Sequence, residues 1–187
     1  MAPSTTTDGS VVYERRTVKT HRYQWPGIQL NLWILVMLAA ACFIIGAFAN
    51  FISVQQQLNL PVPWYFPYFI TVGALLVTYI FIILWLVFNQ RLLPAIVMIG
   101  AFMLFVLWMV GTVVVSVQLF GPDGSIQGNC NLAVFSQNPV GASMSTLAWL
   151  QQRSICQTWQ AIFAFCIVGC IFLLWIMVIA YQVFVSA

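Results

Sequence analysis

The sequence predicts an all-α integral membrane protein: an antiparallel bundle of four transmembrane helices with both termini in the cytosol. Three observations predict it. Apolar residues fill 63% of 187 positions and charged residues only 5%, against about 25% charged in soluble domains. Four apolar stretches, about 28–54, 68–88, 93–120 and 156–185, each reach the roughly 20 residues that cross a hydrocarbon core of about 30 Å. The basic residues lie unevenly about these stretches. Arg15, Arg16, Lys19 and Arg22 precede the first and Arg91 follows the second, whereas the third connection holds only Arg153 and the first holds none. Cytosolic segments carry the excess of Lys and Arg, so the tail and the second connection are expected inside and the other two outside.

The spans consume most of the chain, which leaves one membrane domain, residues 27–187, behind a polar and basic tail, residues 1–26. The tail basics suit anionic lipid headgroups. Nucleic acid would demand a basic stripe many phosphates long, and no nucleic-acid partner is expected. The first apolar run begins near Ile28 and outruns a signal-peptide core, so span one is expected to act as its own signal anchor. His21, the only histidine, sits among basic neighbours and reads as a solvated contributor to positive charge.

Trp25, Pro26 and Gly27 mark the membrane boundary, with the indole at headgroup level and the proline at a helix start. Arg15, Arg16, Lys19, Arg22, Trp25 and Arg91 are therefore the expected headgroup contacts. Span one carries Cys42, Gly46 and Asn50 at four-residue spacing. They form one stripe of small residues, expected to face into the bundle, where another helix can approach closely. Gln55, Gln56 and Gln57 end the span. Leu58 to Pro67 is a short aromatic loop broken by three prolines, and Trp64, Tyr65, Phe66 and Tyr68 read as an interfacial belt.

Span two offers Gly73 as its small packing position. Asn89-Gln90-Arg91 is so tight a turn that spans two and three must be antiparallel neighbours. Span three offers Gly100 and Gly111, and Gly121-Pro122-Asp123-Gly124 stops it. The loop 121–155 is long and contains its own apolar run, Met144, Leu147, Trp149 and Leu150, expected as a short helix lying on the membrane surface. Span four then runs from Cys156 to Val185, with Ala161, Gly169 and Cys170 as packing positions.

Cys130 and Cys156 are the only cysteines in an outward loop. In an oxidising compartment they are expected to form a disulfide that pins the loop to the mouth of span four; the alternative is two unpaired thiols. Cys166 and Cys170 stand four apart, a spacing that suits a metal or redox pair. They lie at depth with no His, Asp or Glu nearby, and read as small packing residues.

No Asp, Glu, Lys, Arg or His lies inside any of the four spans. Such residues mark ion pathways and proton relays, so ion-coupled transport is not expected. Catalysis lacks its materials too, since the sequence has no Ser/His/Asp set, no metal-ligand cluster, no phosphate-cradling glycine loop and no Cys-x-x-Cys. No enzyme activity and no cofactor are expected, beyond a structural lipid or sterol.

Four spans, a short first loop and a longer second loop with a cysteine pair resemble the MARVEL-like tetraspan proteins. Asn129-Cys130-Asn131, the stretch Ile155-Cys156-Gln157-Thr158-Trp159-Gln160-Ala161-Ile162-Phe163-Ala164-Phe165 and the closing Ala180-Tyr181-Gln182-Val183 are similar to fungal plasma-membrane members of that group. Claudin-like proteins carry cysteines in a large first loop, tetraspanins carry Cys-Cys-Gly in the second, and small multidrug transporters carry a membrane-embedded Glu. None of these features is present. The resemblance implies a non-enzymatic scaffold that organises membrane domains or sorts proteins, with lipids, other integral membrane proteins or further copies of itself as partners. Two alternatives stand beside it: an accessory subunit of a larger plasma-membrane enzyme or pump, and a channel or facilitator for an uncharged solute, conducting through an oligomer lined by Asn50, Thr112, Ser116 or Gln118.

Overall fold

The computed structural model describes residues 25–89, 93–122, 125–137, 139, 141 and 144–186. The headgroup contacts expected at Arg15, Arg16, Lys19, Arg22 and Arg91 lie outside these residues. Every element described is helical. Four long helices, α1 (Gly27–Gln57), α2 (Tyr65–Phe88), α3 (Pro94–Phe120) and α5 (Met144–Val185), are each long and apolar enough to cross a membrane. Between α3 and α5 lie a single turn, α4 (Ile126–Asn129), and a π-helical turn (Cys130–Phe135).

The long helices form a closed ring of contacts, in which α1 touches α2 and α5, and α3 touches α2 and α5. Trp33, near the start of α1, meets Phe172 in the second half of α5. Phe51, near the end of α1, stacks on Trp159 in the first half of α5. One continuous apolar core runs through the ring.

Helix α1 shows how that core is chosen. Its buried stripe is Trp33, Met37, Ala40, Ile44, Phe48 and Phe51, spaced by three and four as one helical face requires. Phe48 stacks on Phe69 of α2 at 4.5 Å and meets Trp159 of α5 edge-on. Large rings fill the centre where the helices face each other. The small-residue stripe is turned the other way: Cys42, Gly46 and Asn50 are all exposed, and nothing lies within 4 Å of a Cβ built on Gly46. The expectation that this face points into the bundle is therefore corrected. Lipid tails are as apolar as leucine, so small residues are not driven inward by hydrophobicity, and the larger dispersion surface of the opposite stripe takes the core.

The helix boundaries also move. Helix α1 continues through the three glutamines and closes with a Schellman pattern: Leu60 N donates to Gln55 O, Asn59 N donates to Gln56 O, and Asn59 adopts φ 53°. Asparagine is one of the few residues that tolerate this left-handed position. The run at Met144 to Leu150 is not a separate surface helix. It is the first part of α5, which has 42 residues instead of starting at Cys156. Gly141, at φ 116°, holds a backbone conformation that glycine alone adopts freely, just before the helix begins. From Met144 onward no proline interrupts the chain, and extending an existing helix is cheaper than nucleating a second one.

Candidate functional site

Two features above simple apolar packing stand out. One is a set of hydrogen bonds between helices; the other is a cap locked by a disulfide.

Trp33 Nε1 donates to Phe172 O at 2.8 Å, Tyr68 Oη to Leu107 O at 2.8 Å, Tyr79 Oη to Val97 O at 2.7 Å and Trp108 Nε1 to Cys166 O at 2.9 Å. Each carbonyl belongs to a neighbouring helix, where its second lone pair is available beside the intrahelical bond. In hydrocarbon these ring hydrogens have no water to turn to, and leaving one unpaired costs several kcal/mol.

Glycines open the way to two of the four carbonyls, and a third glycine seats a neighbouring ring. A helical side chain leans back over the turn before its own Cα, so a glycine three or four residues later uncovers a carbonyl. Gly100 follows Val97, Gly111 follows Leu107 and Gly169 follows Cys166. A Cβ on Gly100 would collide with the Tyr79 ring and one on Gly169 with the Trp108 indole, while one on Gly111 would come within 2.7 Å of Phe69 Cε1. Gly73 serves α1 differently, as a Cβ there would lie 2.7 Å from Ile45 Cγ1. The expected packing positions Gly73, Gly100, Gly111 and Gly169 thus all sit at helix contacts inside the chain. Ala161 is half-buried, and Cys170 faces Thr112 of α3, with Oγ1 and Sγ 3.4 Å apart.

The cap lies at the α3–α5 end of the molecule. Cys130 and Cys156 form a disulfide with Cα atoms 5.9 Å apart, as the loop position of the two cysteines predicts. They are buried with Val134, against Ile126 and Trp149. Trp149 Nε1 donates to Val134 O at 2.8 Å, which satisfies a carbonyl in the irregular ladder of the π turn. The Arg153 guanidinium lies 5.2 Å over the Trp149 ring, within cation–π range. Ser125 caps α4 by accepting from Gly128 N, and Gln160 Nε2 donates to Gln127 Oε1 at 3.0 Å. The cap is thus tied to α5 by the disulfide and by the bonds of Trp149 and Gln160.

Sequence reasoning located the disulfide but missed Trp149 as the residue beneath the π turn and Trp33, Tyr68, Tyr79 and Trp108 as cross-helix donors. Their only sequence signal is a polar ring hydrogen inside an apolar span. Trp25 is half-buried and packs against the core. Of the residues named for a solute path, Asn50 is exposed on α1, and Thr112 donates to Trp108 O at 2.9 Å within α3. No group of three or more His, Cys, Asp or Glu gathers among the described residues. Searches of protein-family models, curated proteins and solved structures find no match to this chain.

Proposed function

We propose that this protein is a non-enzymatic membrane-organising scaffold of MARVEL-like tetraspan type. In this reading it is an antiparallel four-helix bundle of the plasma membrane with both termini in the cytosol. It acts through lateral contacts with lipids, with other integral membrane proteins or with copies of itself. The observation that carries the reading is how the polar groups are spent. Four ring donors of the helices, Trp33, Tyr68, Tyr79 and Trp108, are bonded inside the chain, and the outward surface of the long helices is a broad apolar belt. Such a surface presents shape and depth to its neighbours, without charge. The antiparallel arrangement is supported by the pairings Trp33 with Phe172 and Phe51 with Trp159, and the topology by the positive-inside count.

Purification in a gentle detergent, followed by native mass spectrometry, tests the reading. Retained lipids of a preferred class, further copies or co-purifying membrane proteins are expected. A bare monomer without lipid preference defeats it.

One observation favours the accessory-subunit form of the same role. Helix α5 rises about 18 Å past Cys156 to Met144. Met144 is 84% exposed and Leu147 63% exposed on this extension, beyond the level of the disulfide, where a larger partner would cover them. A single stoichiometric partner in the same purification identifies this form; a mixture of partners or self-assembly identifies the general scaffold.

A further inference from the structure

We propose that Cys166, Cys170 and Met109 form a binding site for a soft monovalent metal ion, copper(I), at the contact between α3 and α5. The sequence reads the two cysteines as packing residues because no His, Asp or Glu stands near them. The structure adds two groups from the facing helix. Cys170 Sγ lies 3.5 Å from Met109 Sδ and 3.4 Å from Thr112 Oγ1. Cys166 lies one helical turn before Cys170, on the same side of α5. The backbone on both sides is fixed, because Trp108 Nε1 donates to the carbonyl of Cys166 and Thr112 donates to the carbonyl of Trp108. One sulfur–sulfur contact, between Cys170 and Met109, thus has a second thiol one helical turn away along α5.

The donor set selects the metal. Thiol and thioether sulfurs without carboxylate or imidazole suit copper(I), whereas calcium and magnesium require oxygen ligands. Charge selects the stoichiometry of protons. A net charge at this depth is expensive, and one thiol losing one proton leaves the complex of a monovalent ion neutral: a sulfur–hydrogen bond breaks, a sulfur–copper bond forms, and the proton leaves to water. The thioether adds as a neutral donor, the other thiol keeps its proton and can donate it to the bound thiolate, and no electron changes hands. Thr112 has one hydroxyl hydrogen, now on the Trp108 carbonyl; turned toward Cys170 it would donate to the thiolate and hold it. Met109 is 41% exposed and lines an apolar groove of about 450 Å³ on α3 with Phe105, Val106, Val110, Val113 and Val114.

The test uses the full chain purified in detergent under anaerobic conditions, with copper(I) presented as its coloured bicinchoninate complex. The wild type is expected to withdraw one equivalent from the competitor, and copper-edge X-ray absorption to show sulfur neighbours only. Cys166→Ser, Cys170→Ser and Met109→Leu should each lower the affinity more than about 10-fold, and Thr112→Val about 10-fold, as loss of a supporting hydrogen bond does. Cys42→Ser, on the exposed face of α1, should change nothing. Circular dichroism and a non-reducing gel establish that each variant is folded with its disulfide intact. The proposal is overturned if the wild type withdraws no copper, if a folded Cys166→Ser or Cys170→Ser variant binds like wild type, or if nitrogen or oxygen neighbours dominate the spectrum.

Discussion

The Trp108 indole lies in the space that a side chain at Gly169 would occupy, and from there its Nε1 reaches the Cys166 carbonyl at 2.9 Å. Neither half of this arrangement works alone. With a Cβ at position 169 the ring is displaced, and a displaced ring leaves its N–H unpaired in an apolar interior.

Gly169→Ala should therefore destabilise the protein by about 1–3 kcal/mol through overpacking. Gly46→Ala, which meets nothing within 4 Å, should stay within about 0.5 kcal/mol of wild type. Reversible unfolding in mixed micelles compares the two. Equal effects would show that the exposed face of α1 is packed as tightly as the α3–α5 contact.

Tyr79 separates ring packing from hydrogen bonding. Tyr79→Phe keeps the ring over Gly100 and removes the bond to Val97 O, so the expected cost is about 0.6 kcal/mol, the average for hydrogen bonds between membrane helices. Gly100→Ala displaces the ring itself and should cost more. The reverse order of midpoints would contradict this account of α2 and α3.

The disulfide spans a sequence separation of 26 residues, for which loop-closure entropy predicts about 3.5 kcal/mol of stabilisation. Trypsin cleavage after Arg153, between the two cysteines, should leave fragments that stay joined on a non-reducing gel and part with reductant. Separation without reductant would refute the bond.

Trp149→Phe retains an aromatic face for Arg153 but removes the donor to Val134 O. We expect a loss of about 1 kcal/mol, seen as faster amide exchange in Cys130–Phe135 with α1 and α2 unchanged. A uniform change across all helices would mean that the cap and the helices open as one unit.

At the end of α1, Asn59→Gly should be neutral or slightly stabilising, because φ 53° suits glycine better still. Asn59→Val should cost about 1–2 kcal/mol. Thermal midpoints of the pair decide whether the Schellman turn is held by its own geometry.

The four spans and the disulfide pair were legible because each rests on composition or position alone: an apolar run of sufficient length, and two cysteines bracketing one loop. The start of α5 was not, since Ser154, Ile155 and Cys156 lie where apolar character resumes but contain nothing that breaks a helix. Gly73, Gly100, Gly111 and Gly169 were recognised as packing positions, yet their companions were not. A glycine announces that something comes close, and only the partner helix says that it is Tyr79 or Trp108.

By itself the sequence determined that this chain has four stretches fit to cross a membrane, because the hydrocarbon core demands length and low charge and the chain satisfies both within short local windows. Which face of each helix looks inward was decided only by the tertiary structure. In α1 both the Cys42–Gly46–Asn50 stripe and the Trp33–Phe48 stripe were apolar enough to face either lipid or protein. Packing chose the large rings for the core and left the small residues outside, because contact between shapes, and not the hydrophobic effect, distinguishes neighbours within a bilayer.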